Sequence, residues 1–282
     1  MKISATLAAI ALLLGGCAAD GVHAGRVIPP GAGFVSLGSS FAAGPGIGPI
    51  RPGTPERCSR ATNNYASLLA ARLDLALTDA SCGGATTEHV LGSWNELPPQ
   101  LDAVTRDTRL VTITIGGNDL GYVAWLFAGS CRLGARIFPG PCREAKEPQE
   151  ADYQKLESQL RLIAAEVHRR APGARLVFVQ YVSLISPEPC AQETISPADA
   201  EVARRIAKRL AQVTQAAASA GKAELLSADI ASSSHTPCSA SPWSLGMSAD
   251  YKREQGAAWH PNAAGHAAIA DMLFRLLAEP AD

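Results

Sequence analysis

The sequence predicts an α/β fold: a three-layer α/β/α sandwich around a central, mostly parallel sheet. Short apolar runs such as Gly33–Leu37, Leu110–Ile115 and Leu176–Val182 have the length and the β-branched or aromatic content of buried strands. Stretches such as Asp152–Arg170 and Ala198–Ala220 carry apolar residues at helical spacing. The two kinds alternate along the chain, and strands joined through helices form parallel sheets that helices cover on both faces. A chain of 282 residues is long enough to bury a full core in one domain of this class.

Taken in order, the chain opens with MKISATLAAIALLLGGCAAD: an early Lys2, an apolar run from Ile3 to Leu14, then Gly15-Gly16-Cys17. The run is too short to span a bilayer as a mature helix and ends in small residues, so residues 1–16 read as a secretory signal peptide. A cysteine directly after Leu-Gly-Gly resembles a bacterial lipobox, in which the thiol is lipidated and becomes the mature N-terminus. Ordinary signal cleavage beside an incidental cysteine is the alternative. With lipidation at Cys17, each buried CH₂ adds about 0.8 kcal/mol, enough for a diacyl anchor to hold the protein on a membrane surface. Residues 17–30 then form a tether, and residues 31–282 form the folded domain.

Gly33–Leu37 is the first strand, turning at Gly38, and Ala43–Pro55 is a Gly/Pro-rich loop. From Asn64 to Leu77, residues Tyr65, Leu68, Leu69, Leu73 and Leu77 share a helical face, with Asn63 or Asn64 as N-cap. Leu110–Ile115 is a central strand stopped by Gly116-Gly117. The helix Asp152–Arg170 ends before Pro172-Gly173, and Leu176–Val182 is the next strand. Ala198–Ala220 is a long helix with Val202, Ile206, Leu210 and Val213 facing inward. Leu225-Leu226 begins a short last strand, and Ala263–Leu277 is the closing helix. In such sheets the chemistry collects in loops at the carboxyl ends of the strands.

Composition excludes some classes. A formal net charge of −1 without a basic patch argues against nucleic acid as a partner. The chain has seven cysteines. Setting Cys17 aside leaves Cys58, Cys82, Cys131, Cys142, Cys190 and Cys238, with no Cys/His spacing that suggests zinc. No metal and no other cofactor is expected. In an exported chain these residues point to three disulfides, for which residue spacing alone allows about fifteen connectivities.

Three expected strand or helix boundaries carry candidate chemistry. Gly38-Ser39-Ser40-Phe41 follows the first strand, Gly116-Gly117-Asn118-Asp119 follows a central one, and His260 precedes the last helix. Each alone has a plainer reading, as a helix cap, turn chemistry or a surface histidine. Their order makes the joint case. VSLGSSFAAGPGI, ASCGGATT, IGGNDLG and WHPNAAGH resemble, in order, four sequence blocks of the SGNH (GDSL-type) ester hydrolases. ARLVFVQYVSLISP and SHTPCSASPW are similar to the secreted, disulfide-bonded branch that contains lipases and phospholipases.

That resemblance implies a flavodoxin-like sandwich and assigns roles. Ser40 is the nucleophile and His260 the base that takes its proton. The oxyanion is met by the Ser40 and Gly84 backbone N–H groups and the Asn118 side-chain amide. A glycine suits position 84 because a side chain would crowd the backbone approach. The branch also implies sequential disulfides, Cys58–Cys82, Cys131–Cys142 and Cys190–Cys238. The implied substrate is an acyl ester or lipid, and the implied place is outside the cytoplasm, anchored or secreted.

The sequence departs from the family text twice. Ser39 stands where the family has aspartate, one residue from the nucleophile, and only Ser40 keeps the register. Ala257 stands where the family's acid lies, three residues before the histidine. Some members orient the histidine with a main-chain carbonyl, and the Ala257 carbonyl is the matching group. Glu254 and Asp250, slightly upstream, are the competing carboxylates. Both departures also fit a decayed hydrolase serving as a surface-binding lipoprotein. A carbohydrate O-acetyl esterase or an acyltransferase would use the same residues as a lipase. His235 and His266 read as structural, Trp243 as packing near the last disulfide, and Tyr122, Trp125, Leu126 and Phe127 as core or pocket lining.

Overall fold

A computed structural model describes residues 28–137, 140–249 and 251–278. The expected signal peptide, Cys17, most of the tether and Asp250 lie outside the described residues. The described chain forms one five-stranded sheet in the order β2-β1-β3-β4-β5, every neighbouring pair parallel. The strands are β1 (Gly33–Gly38), β2 (Ala76–Asp79), β3 (Thr108–Thr114), β4 (Arg175–Val179) and β5 (Glu224–Leu226). The helices are α1 (Ser40–Ala43), α2 (Tyr65–Leu73), α3 (Thr87–Leu91), α4 (Tyr122–Arg132), α5 (Glu150–Arg170), α6 (Pro197–Ala220), α7 (Ala228–Ala231) and α8 (Ala263–Ala278).

Crossovers between parallel strands are right-handed, so the direction of travel across the sheet decides which face a helix covers. From β1 the chain steps one way to β2 through α2, then back past β1 to β3, β4 and β5 through α3, α5 and α6. The two sets of helices therefore cover opposite faces, and α8 returns to pack on α2 while α5 packs on α6. The central strands are buried on both sides: Phe34, Leu37, Leu110, Ile113, Val177 and Phe178 are inaccessible or nearly so. Travel reverses between β1 and β3, and the carboxyl ends of those two strands make the crevice where such folds bind ligands.

Two boundaries differ from the sequence expectation. The helix expected to reach Leu77 ends at Leu73, because Asp74 takes the left-handed conformation, φ +52°, and closes it. Leu77 then lies in edge strand β2, opposite Phe34 of β1. Its position in the helical series was a coincidence of spacing. Strand β4 stops at Val179, where its neighbour β5 also runs out, and Tyr181 and Val182 continue as buried loop.

Disulfides join Cys58 to Cys82, Cys131 to Cys142 and Cys190 to Cys238. The first ties the loop before α2 to the loop after β2, and the second closes the segment that follows α4.

Candidate active site

Strand β1 delivers Gly38 into a turn whose next residue, Ser39, donates its N–H to the Thr114 carbonyl at the end of β3, 3.0 Å away. Ser40 then starts the four-residue helix α1, and no protein group among the described residues accepts its N–H. Gln100 grips the turn from behind. Its Oε1 accepts the Gly38 N–H at 2.7 Å and its Nε2 donates to the Gly38 carbonyl at 3.0 Å. The Gly38–Ser40 turn is thus fixed by hydrogen bonds on both sides.

The Ser40 hydroxyl lies 2.8 Å from His260 Nε2 across 220 residues of sequence. On the other side of the ring, His260 Nδ1 lies 2.8 Å from the Ala258 carbonyl. That corrects the expectation of Ala257 by one residue. Trp259 is buried in the left-handed region at φ +56°, a rare conformation for a bulky residue, and this bend brings the carbonyl two residues back onto the ring. Ala257 instead gives its N–H to the Pro45 carbonyl at 3.1 Å. The Ala258–Trp259 peptide is itself held, since Trp259 N–H donates to the Leu245 carbonyl and Leu245 N–H to the His260 carbonyl, each 2.9 Å. Glu254 is exposed on the 3₁₀ turn Arg253–Gln255 and makes no hydrogen bond to His260.

The loop after β3 carries Asn118, whose Nδ2 donates to the Ala85 carbonyl at 2.9 Å, leaving its second N–H unused. Asp119 accepts the Thr87 N–H at 3.1 Å and the Thr87 hydroxyl as well. These bonds fasten the asparagine loop to the segment Gly84–Thr87. Gly84 is exposed at φ +82°, a conformation that suits glycine, and no described residue accepts its N–H. Cys82 N–H donates to the Gly38 carbonyl at 3.0 Å, so the same segment is also tied to the turn that carries Ser40. The groups at positions 40, 84, 118 and 260 therefore come from four separate segments, the start of α1 and three loops, gathered at the reversal point of the sheet.

Residues 36–268 match the family model described as the GDSL-like lipase/acylhydrolase family. The chain belongs to that family. It is 32% identical over 191 residues to Lipase 2 of Streptomyces coelicolor, covering 64% of this chain and 62% of that protein. The match to an esterase of Streptomyces scabiei is 28% identical over 286 aligned positions, covering 85% and 83% of the two chains. The crystal structure of an extracellular lipase from Streptomyces rimosus superposes with a TM-score of 0.69 at 25% identity, covering 86% of this chain and 99% of that one.

Within this GDSL-family chain, burial dominates the electrostatics. The His260 pKa is lowered to about 4 by burial, with the Ala258 carbonyl pulling weakly the other way. Asp119 is raised by burial, against the Thr87 hydrogen bonds. His266 is fully buried and its pKa is lowered to about 3, by burial first and then by its neighbour His260. It accepts the Tyr65 N–H on Nδ1 at 3.1 Å and makes no bond to the Ser40–His260 pair. Ser39 is buried with its hydroxyl turned to Tyr181 rather than to His260. Among the described residues no group of three His, Cys, Asp or Glu side chains could hold a metal ion.

Sequence reasoning missed Gln100, Leu245, Tyr181 and the Ala258 carbonyl. Gln100 lies in LPPQL and Tyr181 in an apolar run read as strand, so neither carries a local signal. His235 stacks on Trp243 at 4.2 Å, far from the site in role and bonded to Ser241.

Proposed function

We propose that this protein is a serine carboxylic-ester hydrolase of lipase or esterase type that works with a Ser40–His260 pair and a backbone carbonyl in place of the acid. The observation that carries the reading is the continuous line from the Ser40 hydroxyl through the His260 ring to the Ala258 carbonyl, 2.8 Å at each step. Ser40 Oγ attacks the ester carbonyl carbon while its proton passes to His260 Nε2. The carbonyl oxygen becomes an oxyanion, met by the Ser40 and Gly84 N–H groups and the spare Asn118 N–H. Collapse breaks the bond to the leaving alkoxide, which takes the proton back from His260. Water, deprotonated by the same ring, then frees the carboxylic acid and restores Ser40.

The Ala258 carbonyl fixes Nδ1 as the protonated nitrogen, which is the orienting half of an acid's role. The substrate class is an acyl ester or lipid, with names of relatives and the family description as support. Export is supported by the three disulfides, which persist in oxidising compartments. Attachment to a membrane through lipidated Cys17 belongs to the same proposal, and Cys17→Ser should release the protein from membranes.

A nitrophenyl ester series and a serine-directed phosphonate test the reading together. Wild type should hydrolyse the esters and take up the label, and Ser40→Ala should do neither. An unlabelled wild type, or equal labelling of Ser40→Ala, would overturn it. Preference for acetyl over longer acyl chains would move the assignment from lipase to acetyl esterase.

A further inference from the structure

We propose that Tyr181 is a positioning residue of this site, coupling the nucleophile turn to the loop that carries Asn118. The inference rests on the ester-hydrolase reading above. Tyr181 lies just past the end of β4 and is buried. Its hydroxyl accepts the Gly117 N–H at 2.9 Å and lies 3.3 Å from the Ser39 hydroxyl. Its ring meets Phe41 at 4.3 Å between centroids, and Phe41 meets the His260 ring at 4.9 Å. One side chain therefore touches the residues before and after the nucleophile and the residue before Asn118.

The hydrogen-bond inventory gives the chain a direction. A phenol has one proton to give and lone pairs to accept with. Gly117 N–H fills a lone pair, which leaves the Tyr181 proton for Ser39 Oγ, and the Ser39 proton faces the Thr114 carbonyl at 3.5 Å. The line Gly117, Tyr181, Ser39, Thr114 thus links the ends of β3 and β1 through an uncharged relay. Burial raises the Tyr181 pKa, so the phenol stays protonated and able to donate. The fit is close: a Cβ on Gly117 would stand 2.6 Å from the Tyr181 ring, so residue 117 must be small where this ring is present. This relay also gives the serine at position 39 a use. An aspartate in the same dry place would add a carboxylate with no cation among the partners of Ser39.

The measurement is kcat and KM on a short nitrophenyl ester for wild type, Tyr181→Phe, Asn118→Ala and the double variant, with thermal melts alongside. Tyr181→Phe keeps the ring and removes the hydroxyl. It should lower kcat about tenfold or more while KM moves less than about twofold, within the worth of a misplaced oxyanion donor. In the Asn118→Ala background, where the donor being placed is gone, the same change should cost less than about twofold. A kcat within about twofold of wild type, or an undiminished loss in the Asn118→Ala background, would overturn the role. Should Tyr181→Phe fail to fold, Ser39→Ala leaves ring and Gly117 bond intact and should still lower kcat severalfold; an unchanged kcat overturns the coupling. An inactive wild type would instead remove the ester-hydrolase reading itself.

Discussion

A carbonyl in place of a carboxylate leaves His260 well oriented but without a full negative charge beside it, and burial then sets its basicity. With the pKa lowered to about 4, the ring is neutral and ready to accept the Ser40 proton from mildly acidic pH upward. Activity should therefore fall only as pH drops toward that value, since protonation of Nε2 removes the base. A kcat/KM profile on a nitrophenyl ester should place its acid limb well below the ordinary histidine value of about 6.5. A limb at the ordinary value would mean that the dry setting of His260 is not felt in solution. Asn118→Ala should lose about 10²–10³ in kcat while melting only slightly below wild type, because the half-buried amide gives up one hydrogen bond, to the Ala85 carbonyl, worth about 1 kcal/mol. Ser40, Asn118 and His260 were picked out because the blocks that hold them, GSSF, GGND and WHPNAAGH, lie at the edges of apolar runs and resemble the family's blocks in order. The orienting oxygen was not, because a backbone carbonyl has no letter of its own. Whether the oxygen two or three residues back faces Nδ1 depends on the φ of Trp259, and tryptophan gives no sign of adopting φ +56°.

Among elements, the turn after β1 matters most, and Gln100 shows how a residue distant in sequence holds it. Gln100→Leu keeps the bulk but leaves the Gly38 N–H unpaired, whereas the Gly38 carbonyl retains the Cys82 N–H. An orphaned buried donor costs about 1–3 kcal/mol, so the variant should melt several degrees lower. Its kcat should fall too, because the freed turn carries Ser40, and a variant that loses stability with kcat intact would show that the grip is structural alone. The long helices and central strands were legible from periodicity and composition, since α5, α6 and α8 bury one continuous stripe and β3 and β4 are buried at all but one position around the β-branched and apolar runs Leu110–Ile113 and Leu176–Val179. Edge strand β2 was not. Its four residues are mostly exposed or half-buried and its Leu77 continued the spacing of α2, so only the left-handed Asp74 separates helix from strand. Gln100 was equally silent, because its partner Gly38 lies 62 residues away.

At the scale of the whole molecule, four separate segments meet at the sheet's reversal point, and the covalent and electrostatic frame around them sets the conditions under which they stay together. The Cys190–Cys238 bridge closes a 48-residue separation, for which loop entropy suggests about 4 kcal/mol against about 3 for the 11-residue Cys131–Cys142 loop. Cys190→Ser/Cys238→Ser should accordingly lower the melting temperature more than the matching pair at Cys131 and Cys142. Acid tests the frame differently. His260 and His266 are both buried and hold pKa values of about 4 and about 3, whereas an unfolded histidine titrates near 6.5. Between those values the unfolded chain binds protons that the folded chain refuses, so stability is fully present above about pH 6.5 and is lost as pH falls through the folded values. Asp119, Glu193 and Asp229, raised by burial, act in the opposite sense, so the histidine contribution is read best as a difference. His266→Asn keeps an acceptor for the Tyr65 N–H and carries no titrating group. Its melting temperature should fall less steeply than that of wild type as pH drops from neutral toward 4, and parallel curves would mean that His266 is not held neutral by burial.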